Sequence, residues 1–299
     1  MLTKHSMLEL CEKNRGFASE AHEAWGQWNP AAGFFHFSTK DVEFEVELDE
    51  GFAFLQHLAR SHPKPSPVKR YPGARRVKLE WPKVGSEFPQ VLFSRRTWRK
   101  FSKQPVDLAT LGALLGLTWG VQGWVKVPRV GSLAIRTSPS GGSLHPIEAY
   151  LLARNVRELQ PGLYHYDGSA HHLALLRRGA NSRQLVRYLE GQWWFGGASF
   201  VVFMTAVFGR TQWKYDYARA YRAVLMEAGH LCQTFCLTAT WLGLAPFCTI
   251  AFNDSSIERM LGVDGISESV LYVAGAGMRP LDERHAHLGT MGAQVRWRR

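Results

Sequence analysis

Three short stretches of the 299-residue chain carry side chains that could do chemistry, and the first is the segment from Thr137 to Pro146. Its ten residues include two prolines, two adjacent glycines and three serines, a mixture that helix interiors and central strands do not tolerate. Glycine brings bare backbone N–H and C=O groups close to a flat ligand, and serine hydroxyls add donors and acceptors. The composition predicts a loop that could contact a planar ligand, although the segment by itself is more typical of a surface turn.

The second stretch places three arginines and a threonine within five positions, at Arg95, Arg96, Thr97 and Arg99. Guanidinium groups bind phosphate through paired hydrogen bonds, and a hydroxyl can add another. The stretch is therefore a candidate phosphate site, for which a solvated basic turn is the simpler interpretation in isolation.

The third stretch is Lys214–Tyr215, which directly precedes a long apolar segment. A lysine in a partly buried pocket can act as a base because desolvation lowers its pKa, and a neighbouring tyrosine can donate or relay a proton. Without other evidence, the simpler interpretation is a lysine at the start of a helix with its aliphatic stem over an aromatic ring.

The hydrophobic pattern predicts the elements that position these stretches. A long helix from Tyr217 to Leu242 follows the lysine–tyrosine pair, and Gly243 is expected to end it. Because strands and helices mix without a regular βαβ order, the pattern favours an α+β sheet packed around this central helix. The other predicted elements are helices at 108–120 (with Asp107 as N-cap), 181–188 and 254–262, a hairpin of 162–168 with 172–177, and strands at 147–153, 199–208, 247–252 and 269–277.

Residues 1–88 are predicted to be an extension packed on the core, and residues 89–299 the main domain. The extension contains one convincing strand, 41–48, in which acidic and apolar residues alternate. A helix at 6–28 is expected to end at Pro30 and Gly33, a short helix is predicted at 51–60, and a proline-rich linker at 62–67.

Composition and charge argue against two classes of protein, nucleic-acid-binding and membrane-spanning. Apolar residues make up 45% of the chain and its formal net charge is +11, with twelve Lys or Arg against two acids between Lys64 and Lys103. That basic stretch could face an acidic peptide or a phosphate, but no nucleic-acid recognition motif accompanies it, so a nucleic-acid role ranks low. Charged residues interrupt the long helix, which argues against a membrane span, and no signal peptide is predicted, so a cytoplasmic protein is expected.

The four cysteines, Cys11, Cys232, Cys236 and Cys248, form no paired framework. We expect no disulfide, as in a reducing cytoplasm. Cys232 and Cys236 lie one helical turn apart, but metal sites normally use four ligands. They are assigned to the core, and no metal site is expected.

Together these stretches resemble the nitroreductase superfamily, and within it the SagB-type dehydrogenases that include azoline oxidases. Residues 95–99 look like the Arg-Arg-Ser-x-Arg signature, with Thr97 where serine is usual. Several further motifs occur in the matching order between about residues 35 and 280. They are the His-x-x-(Ser/Thr)-Lys box at 36–40, the loop and strand at 139–153, Pro161–Tyr166, Tyr221–Arg222, Glu227–His230, and Gln233, which is followed by Thr234 where asparagine is expected.

The resemblance implies a mixed, mainly antiparallel sheet, an FMN cofactor, and a homodimer with the flavins at the subunit interface. In azoline oxidases a Lys-Tyr pair at this place is tied to catalysis, so Lys214 and Tyr215 are the expected catalytic residues. The expected cofactor-binding residues are Arg95, Arg96, Thr97 and Arg99 for the phosphate and ribityl chain, Pro139, Ser140, Gly141, Gly142 and Ser143 of the other subunit along the isoalloxazine, Gln233, Ile250–Ala251 for a backbone N–H to flavin N5, and Arg279 as a weaker phosphate candidate.

The first functional hypothesis is an FMN-dependent oxidoreductase that dehydrogenates a thiazoline or oxazoline ring in a modified peptide, with dioxygen as the final acceptor. A peptide or small-molecule substrate and a biosynthetic partner protein fit it. Two alternatives remain open: an NAD(P)H-dependent nitro or quinone reductase, and a noncatalytic flavin- or leader-peptide-binding partner in a biosynthetic complex.

Overall fold

A six-stranded sheet forms the centre of the molecule. The structure, a computed structural model, describes residues 25, 30–42, 60, 66 and 85–281. The strands of the large sheet are β3 (Ile147–Ala153), β4 (Gly162–Asp167), β5 (His172–Arg178), β6 (Phe200–Val207), β7 (Leu244–Thr249) and β8 (Glu268–Met278). Their order is β5-β4-β3-β6-β8-β7, and every neighbouring pair is antiparallel.

Helices cover this sheet, so the predicted α+β architecture is confirmed. The longest helix packs on β7 and β8, and its buried residues join the main core, as expected of a central helix. The described helices are α1 (Pro30–Ser38), α2 (Glu87–Ser94), α3 (Leu108–Trp119), α4 (Ser182–Tyr188), α5 (Phe208–Gln212), α6 (Ala220–Trp241) and α7 (Asp254–Leu261).

Several details of the predicted elements are wrong. Gly33 does not break a helix, because it lies inside α1, which begins at Pro30. Whether the helix predicted at 6–28 ends before Pro30 falls outside the described residues. Asp107 occupies the N-cap position of α3 without a side-chain capping bond, and its carboxylate instead lies 3.4 Å from Arg157. The strand predicted at 247–252 lies at 244–249 and includes Pro246, which is tolerated because β7 is an edge strand.

A two-stranded hairpin was not predicted. Its strands, β1 (Gly123–Val127) and β2 (Gly131–Ile135), pair antiparallel and lead directly into the loop at 137–146. Most of their residues are exposed, so the hairpin lacks the alternation that marks a half-buried strand.

The first described residues contact the main domain. The Trp25 indole N–H donates to the Ile266 carbonyl over 2.9 Å, and the Lys40 ammonium lies 2.6 Å from the Glu258 carboxylate. His36 is 2% exposed and shares a 2.9 Å hydrogen bond with the Tyr221 hydroxyl. The predicted strand at 41–48, the helices at 6–28 and 51–60 and the linker at 62–67 lie largely or wholly outside the described residues, so the 1–88 boundary stays a prediction.

Buried His36 is expected to make the fold acid-sensitive. Burial and then the charge of Lys40 lower its pKa from 6.5 to about 3. An unfolded chain binds this proton near pH 6.5 and the folded chain only near pH 3, so stability falls as pH drops through that window, by at most about 1.4 kcal/mol per pH unit. Chemical denaturation across this range should show a flatter pH dependence for His36→Gln. The exposed-site control His172→Gln should keep the wild-type slope, and an unchanged slope in His36→Gln would contradict the assignment.

Two further expectations concern the core and the membrane. Cys232 and Cys236 are 3% and 4% exposed within the main core, which confirms their placement there. Among the described helices, none has the length and apolar character that a membrane crossing needs.

Candidate functional site

The loop at 137–146 is held in an unusual backbone conformation. Gly142 has φ of +68°, and Ser143 and His145 also have positive φ, at +56° and +45°. The Ser140 hydroxyl accepts a 2.9 Å hydrogen bond from the His145 N–H, and the Ser143 N–H donates to the Ser140 carbonyl over 3.1 Å. Ser140 thus closes the loop on itself, around a short 3₁₀ turn at Gly141–Ser143.

Side chains of α6 anchor the start of this loop. The Ser138 and Thr234 hydroxyls share a 2.7 Å hydrogen bond, and His230 Nδ1 lies 3.4 Å from the Pro139 carbonyl. A Cβ on Gly141 would lie 3.6 Å from that of Ala223. Thr234, the residue that departs from the family pattern, therefore still provides a polar contact to the loop.

The loop and the lysine–tyrosine pair meet at Gly142. A Cβ at this position would come within 2.9 Å of Lys214 Nζ and 3.0 Å of the Tyr215 hydroxyl. Only glycine permits this approach, and it also permits the positive φ. Two stretches that are seventy residues apart in the sequence thus form one site, in which backbone, an ammonium and a phenol converge.

Lys214 is exposed rather than partly buried, and Tyr215 is half-buried. The pair follows α5, where the N–H groups of both residues donate to the Thr211 carbonyl. Lys214 Nζ lies 5.2 Å from the centroid of the Tyr215 ring in a cation–π arrangement. This is close to the simpler interpretation, a lysine near the start of a helix that packs over an aromatic ring. The lysine is therefore positioned beside the loop and open to a ligand.

The arginine stretch begins where α2 ends. Arg95, Arg96, Thr97 and Arg99 are all partly buried, and the Trp98 N–H between them donates to the Pro246 carbonyl over 3.0 Å. Burial lowers the pKa of Arg96 and Arg99, and the charge of Arg95 adds to this effect at Arg96. Edge strand β7 thus holds the stretch at Trp98, and the charges of Arg95 and Arg96 lie close enough to interact.

Arg279 connects the end of α6 and the start of β7 to Trp98. Its guanidinium donates to the carbonyls of Leu244 and Thr240, over 3.0 and 2.9 Å, and lies 5.5 Å from the centroid of the Trp98 ring. These contacts tie the C-terminal end of α6 and the start of β7 to the arginine stretch.

The remaining expected cofactor residues lie on α6 and after β7. Gln233 is exposed on α6, next to Thr234, and Ile250 is 67% exposed. The Ala251 N–H donates to the Thr249 hydroxyl over 3.0 Å, so Ile250 is the better candidate for an N–H offered to a ligand.

The site residues form two groups along α6. The loop and the lysine–tyrosine pair lie by Ala223, His230 and Thr234, whereas the arginine stretch and Arg279 lie nearer the Thr240 end. From His230 to Thr240 the helix rises about 15 Å, since each residue adds about 1.5 Å.

Sequence reasoning missed a charged cavity of about 550 Å³ beyond the loop, lined in part by Ser143 and His145. Within it Glu148 accepts from His165 over 2.7 Å and from Arg210 over 2.5 Å. The hydrogen bond to Glu148 raises the pKa of His165. The Glu148 pKa is lowered, because its two partners outweigh the effect of burial. The one available signal was a glutamate at the second position of an otherwise apolar strand, Ile147–Ala153.

Comparisons with known proteins agree with this fold. A model of the nitroreductase family matches residues 92–278. MJ1384 of Methanocaldococcus jannaschii, named as a nitroreductase, is 29% identical over 192 residues, which cover 64% of this chain and 88% of MJ1384. The microcin B17-processing protein McbC of Escherichia coli is 33% identical over 135 residues, covering 43% of this chain and 49% of McbC, so the match spans about half of that relative.

A solved structure extends the likeness beyond these segments. A chain of the Escherichia coli microcin synthetase McbBCD complex, determined with truncated pro-MccB17 bound, superimposes with a TM-score of 0.60 at 25% identity. The superposition covers 86% of this chain and 97% of that chain. Since the family model covers more than half of the sequence, and the antiparallel sheet around a long helix is the fold expected from the motifs, this chain belongs to the nitroreductase family.

Proposed function

We propose that this protein is an FMN-dependent oxidoreductase of the SagB type that dehydrogenates a thiazoline or oxazoline ring in a modified peptide to the azole. The observation that carries the proposal is the convergence of Gly142, Lys214 and Tyr215 at one point. Family membership supports an oxidoreductase, and the likeness to McbC and to the McbBCD complex supports a role in peptide maturation.

The residues present fit FMN by the chemistry of their donors. The guanidinium groups of Arg95, Arg96 and Arg99 would hold the phosphate, and Arg279 would support the same end of the cofactor. The loop from Pro139 to Ser143 would supply backbone N–H and C=O groups along the planar ring, on the side that Lys214 and Tyr215 do not cover. Thr97, Gln233 and the N–H of Ile250 would supply further hydrogen bonds.

Removing two hydrogens from an azoline ring requires a base and a hydride acceptor. When bound, FMN supplies the acceptor, and dioxygen would restore its oxidised form. Lys214 would take or relay the ring proton, and the Tyr215 hydroxyl beside it would orient or share that proton. Because Lys214 is exposed, the bound substrate would have to cover it and exclude water.

We further propose a homodimer that works with a biosynthetic partner protein in the cytoplasm. Large apolar side chains are exposed along α2 and α6, with Phe88 at 65%, Met226 at 58% and Trp241 at 48%. A surface of this kind is suited to association, and sedimentation equilibrium of the full chain would give the subunit number.

A visible absorption spectrum of the purified protein tests the cofactor. We expect a flavin spectrum and release of FMN on heating, identified by mass. A protein that is colourless and fails to take up added FMN would remove the enzyme proposal and favour a noncatalytic binding partner.

The reaction class needs a second measurement on flavin-loaded protein. Anaerobic mixing with an azoline-containing peptide should bleach the flavin, lower the peptide mass by two hydrogens and, on admission of dioxygen, restore the flavin colour. Rapid bleaching by NAD(P)H together with no change in azoline peptides would instead identify a nitro or quinone reductase.

A further inference from the structure

Three cysteines converge between the long helix and the edge strand. Cys232 and Cys236 lie one turn apart on α6, and Cys248 on β7 faces them. Their sulfur atoms all lie within 4.8 Å of one another, and no histidine or carboxylate of the described residues joins the group. The sequence could not show this cluster, because its third member comes from another element.

The spacing of the sulfurs suits one metal ion. Thiolate sulfurs bind Zn²⁺ at about 2.3 Å, so sulfurs around a shared ion are about 3.8 Å apart in a tetrahedral site. The cluster would therefore need to contract by at most about 1 Å, which small side-chain rotations on α6 and β7 can supply.

The cluster has a hydrogen-bond donor beside it and an opening to solvent. The Tyr272 hydroxyl donates to Cys248 Sγ over 3.5 Å, as outer partners of metal-bound thiolates do. Cys248 is also partly exposed, so an ion has a route in from solvent.

We propose that Cys232, Cys236 and Cys248 bind one thiophilic d¹⁰ metal ion, of the class of Zn²⁺ or Cu⁺. Soft thiolate ligands select these ions over Mg²⁺, Ca²⁺ or Mn²⁺. Binding displaces the thiol protons of the three cysteines to solvent. With three protein ligands, Cu⁺ would be trigonal, whereas Zn²⁺ would take solvent as its fourth ligand.

Metal titration of the full-length protein tests the site. The protein is treated with a chelator, reduced with a phosphine and titrated with Zn²⁺, or anaerobically with Cu⁺, against a coloured competing chelator. We expect one equivalent to bind and Cys248→Ser to weaken binding at least tenfold. Preference for one ion over the other assigns the metal within the proposed class.

A measurement on wild-type protein avoids dependence on the folding of the variants. X-ray absorption at the metal edge should show three sulfur neighbours, at about 2.3 Å for Zn²⁺. The proposal is overturned if the reduced protein takes up neither ion stoichiometrically, if fewer than three sulfurs surround the bound ion, or if Cys248→Ser binds as tightly as the wild type. Flavin content is measured in each sample, so loss of FMN is distinguished from loss of metal.

Discussion

Replacing Lys214 with alanine is expected to lower kcat for azoline dehydrogenation by about 10²- to 10⁴-fold, the usual contribution of a positioned general base. FMN content should not change, because the proposed phosphate ligands lie nearer the other end of α6. The measurement is turnover of an azoline peptide per mole of bound flavin, followed by the mass of the product.

Two further variants separate the base from a merely cationic role. Lys214→Arg keeps a positive charge but cannot deprotonate, so it should be nearly as inactive as Lys214→Ala. Lys126→Ala removes an exposed lysine outside the basic stretch and should retain wild-type turnover. Substantial activity in Lys214→Arg would show that the charge alone is needed, and full activity in Lys214→Ala would eliminate the residue from the chemistry.

Replacing Gly142 with alanine is expected to lower kcat by about 10²-fold, the order associated with misplacing a catalytic group by about 1 Å. The new methyl group would lie 2.9 Å from Lys214 Nζ and 3.0 Å from the Tyr215 hydroxyl. Both atoms are at the far ends of side chains, so they can move aside without unfolding the loop. The substitution should therefore lower kcat strongly and the free energy of unfolding only slightly.

Gly191 provides the matched control for this substitution. Its φ of +73° is close to the +68° of Gly142, but a Cβ there would meet nothing within 4 Å. Both alanine variants should lose about 1–2 kcal/mol of stability from the left-handed backbone, measured by chemical denaturation. Only Gly142→Ala should also lose turnover. Equal turnover in the two variants would show that the contact between Gly142 and the lysine–tyrosine pair does not affect catalysis.

Local sequence patterns predicted much of the fold because they report on local physics. The strand Ile147–Ala153 is found with the predicted bounds, and the helix predicted from Leu108 ends at Trp119, one residue before its expected end. Gly243 and Gly262 follow or cap helices with positive φ, which only glycine adopts readily. The errors fall where tertiary contacts override the pattern, as at Asp107, whose carboxylate pairs with Arg157 instead of capping its helix.

In the candidate site, too, some features follow from the local sequence and others from tertiary packing. The sequence by itself determined the family, the cation-rich stretch from Arg95 to Arg99 and the glycine-containing loop, because these signals are residue types at fixed local spacings. It could not determine that Gly142 contacts Lys214, that Cys248 completes a thiol cluster, or that Glu148 pairs with Arg210. Those are distances between elements remote in the chain, and they are set only when the sheet and the long helix α6 pack together to bury their shared apolar face.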